Sequence, residues 1–198
     1  MNDLKTPRFT EWLVNANDFK RQGFRDWVFQ KGMLFGSAHK WWGDRGRRDF
    51  DHEGLDFAIY RDDAGSRRWL APDTRIPALF TGVVRSVFPD YLGQAIVVEH
   101  ADAGGSRDGH ISIYAHTEPL TTVQPGIRVD AGQIIATIAD TSQSKANIRP
   151  HLHYSLGKVS GNLAYDRFVW NCMRDPHWVA LVDPLEIIDR PYRLVNSS

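Results

Sequence analysis

The 198-residue sequence has a single cysteine, Cys172, which excludes an internal disulfide framework and a zinc site built from several thiolates. A metal centre here has to be assembled from His, Asp and Glu. Neither sign of charge is in excess: Lys plus Arg is 24 and Asp plus Glu is 24, against a protein that holds nucleic acid by bulk electrostatics. Apolar runs stay well short of the ~18 residues that a membrane-spanning helix needs. The opening, MNDLKTPRFTEWLV, lacks a basic stretch followed by an apolar one, so the expectation is that this sequence carries no export signal. Repeats and low-complexity segments are missing as well. Hydrophobic residues make up 42% of the chain, ordinary globular usage. At this length one domain, with or without decoration, is expected to bury roughly 70% of the surface its unfolded chain exposes.

The N-terminal part begins with Thr6-Pro7, a helix-start pair, and then places Phe9, Trp12, Leu13 and Ala16 on one helical face. Residues 20–50, rich in Gly, Arg and Trp, have no period and read as loops and short pieces. From about Phe57 to Leu156 short strands alternate with turn residues. The clearest runs are Gly82–Val87, Ala95–Glu99, His110–Ala115, Ile127–Val129 and Ile134–Ile138. The breaks fall at Pro89-Asp90, Ala103-Gly104-Gly105, Pro125-Gly126 and Ala131-Gly132. Beyond Gly161 the pattern is helical or irregular, with Asp175-Pro176 and Asp183-Pro184 as helix starts. The fold expected is mainly β, an antiparallel sandwich or barrel-like sheet. It carries a helical N-terminal arm over 1–48 and, within 49–198, a short helical appendage from about 158.

Chemistry is concentrated in histidine, of which there are eight. His151-Leu152-His153 follows Pro150, a strand start; on a strand both imidazoles project from one face while Leu152, Tyr154 and Leu156 point into the core. His52 and Asp56 are four residues apart, roughly 13 Å along a straight strand. That is too far to share one metal ion at bond lengths of ~2 Å, so the chain has to turn between them, and Gly54 permits it. The stretch from His110 to His116 alternates: Ile111, Ile113 and Ala115 toward the core, Ser112, Tyr114 and His116 on the other, exposed face.

Together these segments resemble the three motifs of the lysostaphin/LytM-type zinc metallopeptidases, the glycyl-glycine endopeptidase group of cell-wall hydrolases. The motifs are His52-Glu53-Gly54-Leu55-Asp56, Tyr114-Ala115-His116 and Pro150-His151-Leu152-His153-Tyr154. Residues Val123 to Ile135 resemble the family's V-x-x-G-x-x-V-x-x-G-Q-x-I hairpin. The likeness covers about residues 50–157; residues 1–48 and 158–181 have no counterpart, and the segment 139–149 before His151 is longer than the family's Gly-rich turn and has no glycine. The resemblance implies one Zn²⁺ held by His52, Asp56 and His153, with His116 and His151 as the catalytic pair. It also implies a substrate of peptidoglycan peptides, cut in cross-links next to glycine or a D-amino acid. Three protein ligands leave a fourth position open, the mark of a catalytic zinc site. Replacing His151 or His116 is then expected to cost activity and not metal.

Other readings of the residues stay open at this point. Two His and a carboxylate also describe a non-haem Fe(II) triad, although such sites usually space the first pair as His-x-Asp/Glu. A non-catalytic cell-wall binding module of the same fold would lose ligands, and all five site residues are present. A biotinyl- or lipoyl-like carrier would need a Lys at the hairpin tip, and residues 123–135 contain none. Of the seven tryptophans, most are expected to pack the arm and appendage onto the sheet, whereas Trp41 and Trp42, ten residues before His52, are candidates to line the cleft with Tyr114. Arg45-Gly46-Arg47-Arg48 is read as a solvated basic loop, Asp49 and Asp51 as surface, and Cys172 as a small buried hydrophobe. Action on cell wall places the protein in the envelope or outside the cell, the cytoplasm being the alternative that the missing export signal leaves.

Overall fold

The computed structural model describes residues 8–100, 109–145, 147–159, 163–189 and 191–195. Thr6-Pro7, the Ala103-Gly104-Gly105 break and Gly161 lie outside these. Among the described residues there is one α-helix, α1 (Phe9–Ala16), and the remaining regular structure is strands and short 3₁₀ turns. The strands are β1 (Phe24–Gln30), β2 (Leu55–Phe57), β3 (Ile59–Asp62), β4 (Arg67–Trp69), β5 (Arg75–Pro77), β6 (Gly82–Pro89), β7 (Gln94–His100), β8 (His110–Pro119), β9 (Arg128–Val129), β10 (Ile134–Ile138), β11 (Leu152–Val159), β12 (Val179–Val182) and β13 (Tyr192–Val195). The mainly β expectation is met; four of the five runs singled out in the sequence fall wholly on strands, and of Ile127–Val129 only Arg128 and Val129 do.

Two sheets make the body. The larger runs β12-β11-β8-β7-β6-β9, every neighbour antiparallel, with β10 pairing β5 and the far end of β8, and β2 pairing β11. The smaller runs β13-β1-β3-β4, with β13 parallel to β1. Strand β1 falls where loops were expected. Its burial explains the misreading: Asp26, Trp27, Val28 and Phe29 are all buried, so the strand has neither an alternating pattern nor a polar face. Asp26 is tolerated there because Arg61 donates to it at 2.6 and 3.1 Å and Arg193 at 3.0 Å. The appendage also differs from expectation. Asp175-Pro176 opens a turn leading into β12, not a helix, whereas Asp183 does cap a 3₁₀ turn, accepting from the Leu185 N–H at 2.9 Å.

Both faces of the large sheet are covered. Ile96, Val98, Tyr114, Leu152, Tyr154 and Leu156 join α1 and the small sheet in the main core, with Phe9 and Leu13 as the helix's contribution. Ala95, Val97, Ile111, Ile113 and Ala115 point the other way, into a second core closed by Phe168, Met173 and Val179 from the segment without a family counterpart. The face of β8 expected to be exposed is therefore interior. Tyr114 is fully buried, its hydroxyl accepting from the Leu79 N–H at 2.7 Å, so it does not line a cleft.

Buried polar groups on that inner face form a chain. The Thr81 carbonyl, an acceptor only, takes the Nδ1–H of His100 at 3.0 Å; Nε2 lies 2.8 Å from Ser112 Oγ, which lies 2.7 Å from the Tyr154 hydroxyl. Burial pushes the His100 pKa down to about 4, partly opposed by the Thr81 bond. The folded value lies below the unfolded ~6.5, so the unfolded chain binds the extra proton first as pH falls. The corresponding stability is intact above ~6.5 and is lost on the way to about 4, at a cost on the order of 3 kcal/mol. Urea titrations at pH 7.5 and 4.5 are expected to show wild type losing more stability than His100→Gln. Equal losses would place the acid sensitivity elsewhere.

Candidate active site

The first two site residues are placed by a strand pairing. In the β2–β11 pair Asp56 sits directly opposite His153, and His52 comes over them from the bend that precedes β2. Gly54 is demanded by space: a Cβ would run into the Tyr154 carbonyl and come within 2.7 Å of both His153 Nε2 and Ser155 Oγ. Three ligand atoms converge there. His52 Nε2 and Asp56 Oδ1 are 3.1 Å apart, His52 Nε2 and His153 Nδ1 3.0 Å, and His153 Nδ1 and Asp56 Oδ1 2.9 Å. All three residues are buried.

The outward ring nitrogens fix which way the lone pairs point. His52 Nδ1 faces the Leu34 carbonyl at 3.0 Å; a carbonyl only accepts, so that nitrogen holds the proton and Nε2 offers its lone pair inward. His153 Nε2 lies 2.9 Å from Ser155 Oγ, which leaves Nδ1 directed inward. Burial by itself would raise the Asp56 pKa. The imidazoles of His52, His151 and His153 that surround it outweigh burial and hold the carboxyl well below the usual range. Two lone pairs and a carboxylate oxygen facing one another need a cation between them, and bond lengths of ~2.0–2.1 Å set donors roughly 3.3 Å apart in a tetrahedron. The set fits a divalent metal ion.

His151 and His116 stand beside this cluster. The Arg149 carbonyl takes the Nδ1–H of His151 at 2.8 Å, and its Nε2 reaches within 3.8 Å of Asp56 Oδ1. Burial lowers the His151 pKa to about 3 against the pull of Asp56, so the ring is neutral at ordinary pH. The His116 ring lies 4.8 Å from that of His151 and 5.7 Å from that of His153. Strict alternation would have put His116 on the Tyr114 face. The β7–β8 register instead runs from Ile96↔Tyr114 to Gln94↔Thr117, so Ala95 alone faces Ala115 and His116. At this bulge His116 adopts φ +64°, which carries its ring to the Ala115 and His153 side of the sheet. Its Nδ1 is 3.2 Å from Asp90 Oδ1.

The cleft has a volume of about 480 Å³. Trp42, Leu92, Ile148 and Trp170 give it apolar walls, and Arg48 and Arg174 line it as well. Only one of the two arm tryptophans is placed as expected. Trp42 lines the cleft, with the Arg48 guanidinium 4.5 Å from its ring centroid. Trp41 is buried and donates its indole N–H to Asp56 Oδ2 at 2.7 Å, so it orients that carboxylate and does not line the cleft. Arg48 is likewise no solvated loop residue: it donates to the Gly32 carbonyl at 2.9 Å and lies 3.8 Å from Asp56. Cys172 is half-buried at the edge of the second core.

Residues 163–189 add a further wall. Trp170 and Arg174 both donate to Glu53 Oε1, at 3.2 and 2.7 Å, which ties that segment to the residue next to His52. Asp90 is the other residue missed. The local signal for it was Pro89-Asp90 followed by Gly93, a turn in which the aspartate accepts from the Leu92 and Gly93 N–H groups at 2.8 Å each.

The pattern of peptidase family M23 matches residues 51–165, more than half of the chain and inclusive of His52, Asp56, His116, His151 and His153. No curated protein matches. Among solved structures, lysostaphin in solution is 23% identical with a TM-score of 0.48, covering 88% of this chain and 50% of lysostaphin. The SpoIIQ–SpoIIIAH pore-forming complex gives 18% identity and 0.47, over 87% of this chain and 88% of that one. A zinc-containing peptidase from Vibrio cholerae gives 20% and 0.45, over 85% and 41%. The chain thus spans about half the length of lysostaphin. The match across 51–165, in which all three motifs and the hairpin fall, makes the chain a member of peptidase family M23.

Proposed function

We propose that the protein is a zinc-dependent endopeptidase that hydrolyses peptide bonds in the cross-links or stem peptides of bacterial cell wall. The observation that carries this reading is the convergence of two imidazole lone pairs and one carboxylate oxygen, 2.9–3.1 Å apart, in a cleft shared with two further histidines. His52, Asp56 and His153 would hold a zinc ion, which would supply Lewis acidity toward the scissile carbonyl and toward a water. His151 is aimed at the cluster by the Arg149 carbonyl and offers a neutral Nε2 to take the proton of the attacking water. His116 presents Nε2 from the other side; as imidazolium, with Asp90 as counter-ion, it donates to the oxygen on which charge develops or to the leaving amine. A peptide chain lies along the Trp42, Leu92, Ile148 and Trp170 walls. The substrate lies outside the cytoplasm, so the protein is assigned to the envelope or the exterior.

Elemental analysis of the purified protein, followed by digestion of cell-wall sacculi and defined muropeptides with and without chelator, tests this. One zinc per chain and chelator-sensitive release of peptide fragments are expected, and the fragment masses identify the bond cut. Iron in place of zinc would favour the oxygenase chemistry of the same triad. Intact muropeptides in the presence of zinc-loaded protein would leave a binding module.

A further inference from the structure

A histidine at φ +64° inside a strand is held in a conformation that L-residues seldom take, and something has to hold it there. Asp90 follows directly on the last residue of β6 and its side chain is 1% exposed. One carboxylate oxygen, Oδ2, accepts the backbone N–H of His116 at 2.6 Å. The other, Oδ1, lies 3.2 Å from Nδ1 of the same histidine and also accepts from Leu92 and Gly93. A single carboxylate thus grips both the backbone and the ring of one residue, from a turn that its other bonds keep rigid. We propose that Asp90 is the positioning residue for His116, fixing its left-handed backbone and its Nδ1–H tautomer so that Nε2 faces the substrate. The proposal rests on the reading of His116 as a catalytic residue.

The geometry says why asparagine is not an equivalent. In Asp90→Asn, with the amide oxygen in the Oδ1 place, the side chain would set an NH₂ group against the His116 N–H, donor to donor. Turned over, it would set NH₂ against the Leu92 and Gly93 N–H groups and require Nδ1 of His116 to accept, which moves the ring proton to Nε2. Either way one half of the grip is lost.

The test uses the zinc-loaded protein. Long-range ¹H–¹⁵N correlation spectra of wild type are expected to show His116 protonated at Nδ1. In Asp90→Asn that signature is expected to shift, with zinc content and KM unchanged and kcat on cell-wall peptides reduced on the order of 10–100-fold. In a His116→Ala background the same Asp90 substitution is expected to leave kcat where His116→Ala alone puts it, because Asp90 acts only through that ring. A His116 that in wild type is protonated at Nε2 and bare at Nδ1 overturns the proposal without any variant, which covers the case in which Asp90→Asn fails to fold. An equal loss of kcat from Asp90→Asn in both backgrounds overturns it too. If His116→Ala is fully active while the ring signature still depends on Asp90, the positioning stands and the catalytic reading of His116 is what has failed.

Discussion

Protein carrying His153→Ala is expected to fold, to emerge from purification without its zinc and to release nothing measurable from cell-wall peptides, a loss in kcat/KM of at least about 10³-fold. The reason lies in how the three ligand atoms are supported. His153 contributes one of the three inward atoms and, like Asp56 opposite it in the β2–β11 pair, is placed by the sheet, with Ser155 Oγ on its outer nitrogen. Removing it leaves His52 and Asp56, two donors that no longer surround an ion, and two-ligand sites do not retain zinc against buffer and chelator. The fold survives because the cores that carry β11 are elsewhere: Leu152, Tyr154 and Leu156 pack on the main core, and Asp56 keeps the Trp41 indole at 2.7 Å and His52 at 3.1 Å. Zinc per chain by elemental analysis and circular dichroism on the same sample check it. A variant that keeps a full equivalent of zinc would remove His153 from the ligand set and with it the proposed chemistry.

How far this site was legible in the sequence depends on which distance rule governs each residue. His151 and His153 obey period two, and a strand guarantees that they share a face. His52 and Asp56 needed only a bend, and Gly54 marked it, although the reason for the glycine is the close passage of β11 and not the turn itself. Tyr114 and His116 were read by the same alternation, and there it fails. The bulge opposite Ala95 breaks the period between them, sending His116 to the cleft and leaving Tyr114 in the core. No sequence pattern announces a left-handed histidine; the cause is Asp90, 26 residues away. Trp41 and Trp42 are adjacent and chemically identical, so composition cannot say which one bonds Asp56 and which one meets solvent. The wall built by Trp170 and Arg174 is a tertiary contact through Glu53, and the second core that anchors it turned an expected exposed face into an interior one.

The companion variant, His151→Ala, is expected to separate metal from chemistry: zinc stays at one per chain, KM changes little, and kcat falls by about 10²–10⁴. His151 shares its strand face with His153 and has its own Nδ1–H anchored on the Arg149 carbonyl at 2.8 Å, yet it is not among the three atoms that converge. Its Nε2 stops 3.8 Å from Asp56 Oδ1, farther out than the inward nitrogens of His52 and His153 at 3.1 and 2.9 Å, and within reach of a water beside the site. The ring is packed between the edge of Trp41, with centroids 5.1 Å apart, and His116 at 4.8 Å, so its removal opens space without exposing the ligands, whose own outer bonds to Leu34 and Ser155 are untouched. With the proposed substrate lying along Trp42, Leu92 and Trp170, which line the cleft, KM is expected to hold while kcat falls. Zinc analysis and steady-state kinetics on one muropeptide distinguish the cases. Loss of metal together with activity would make His151 a fourth ligand in a closed, structural site. Full activity with full zinc would assign the proton transfer to His116, the other imidazole in the cleft outside the three converging residues.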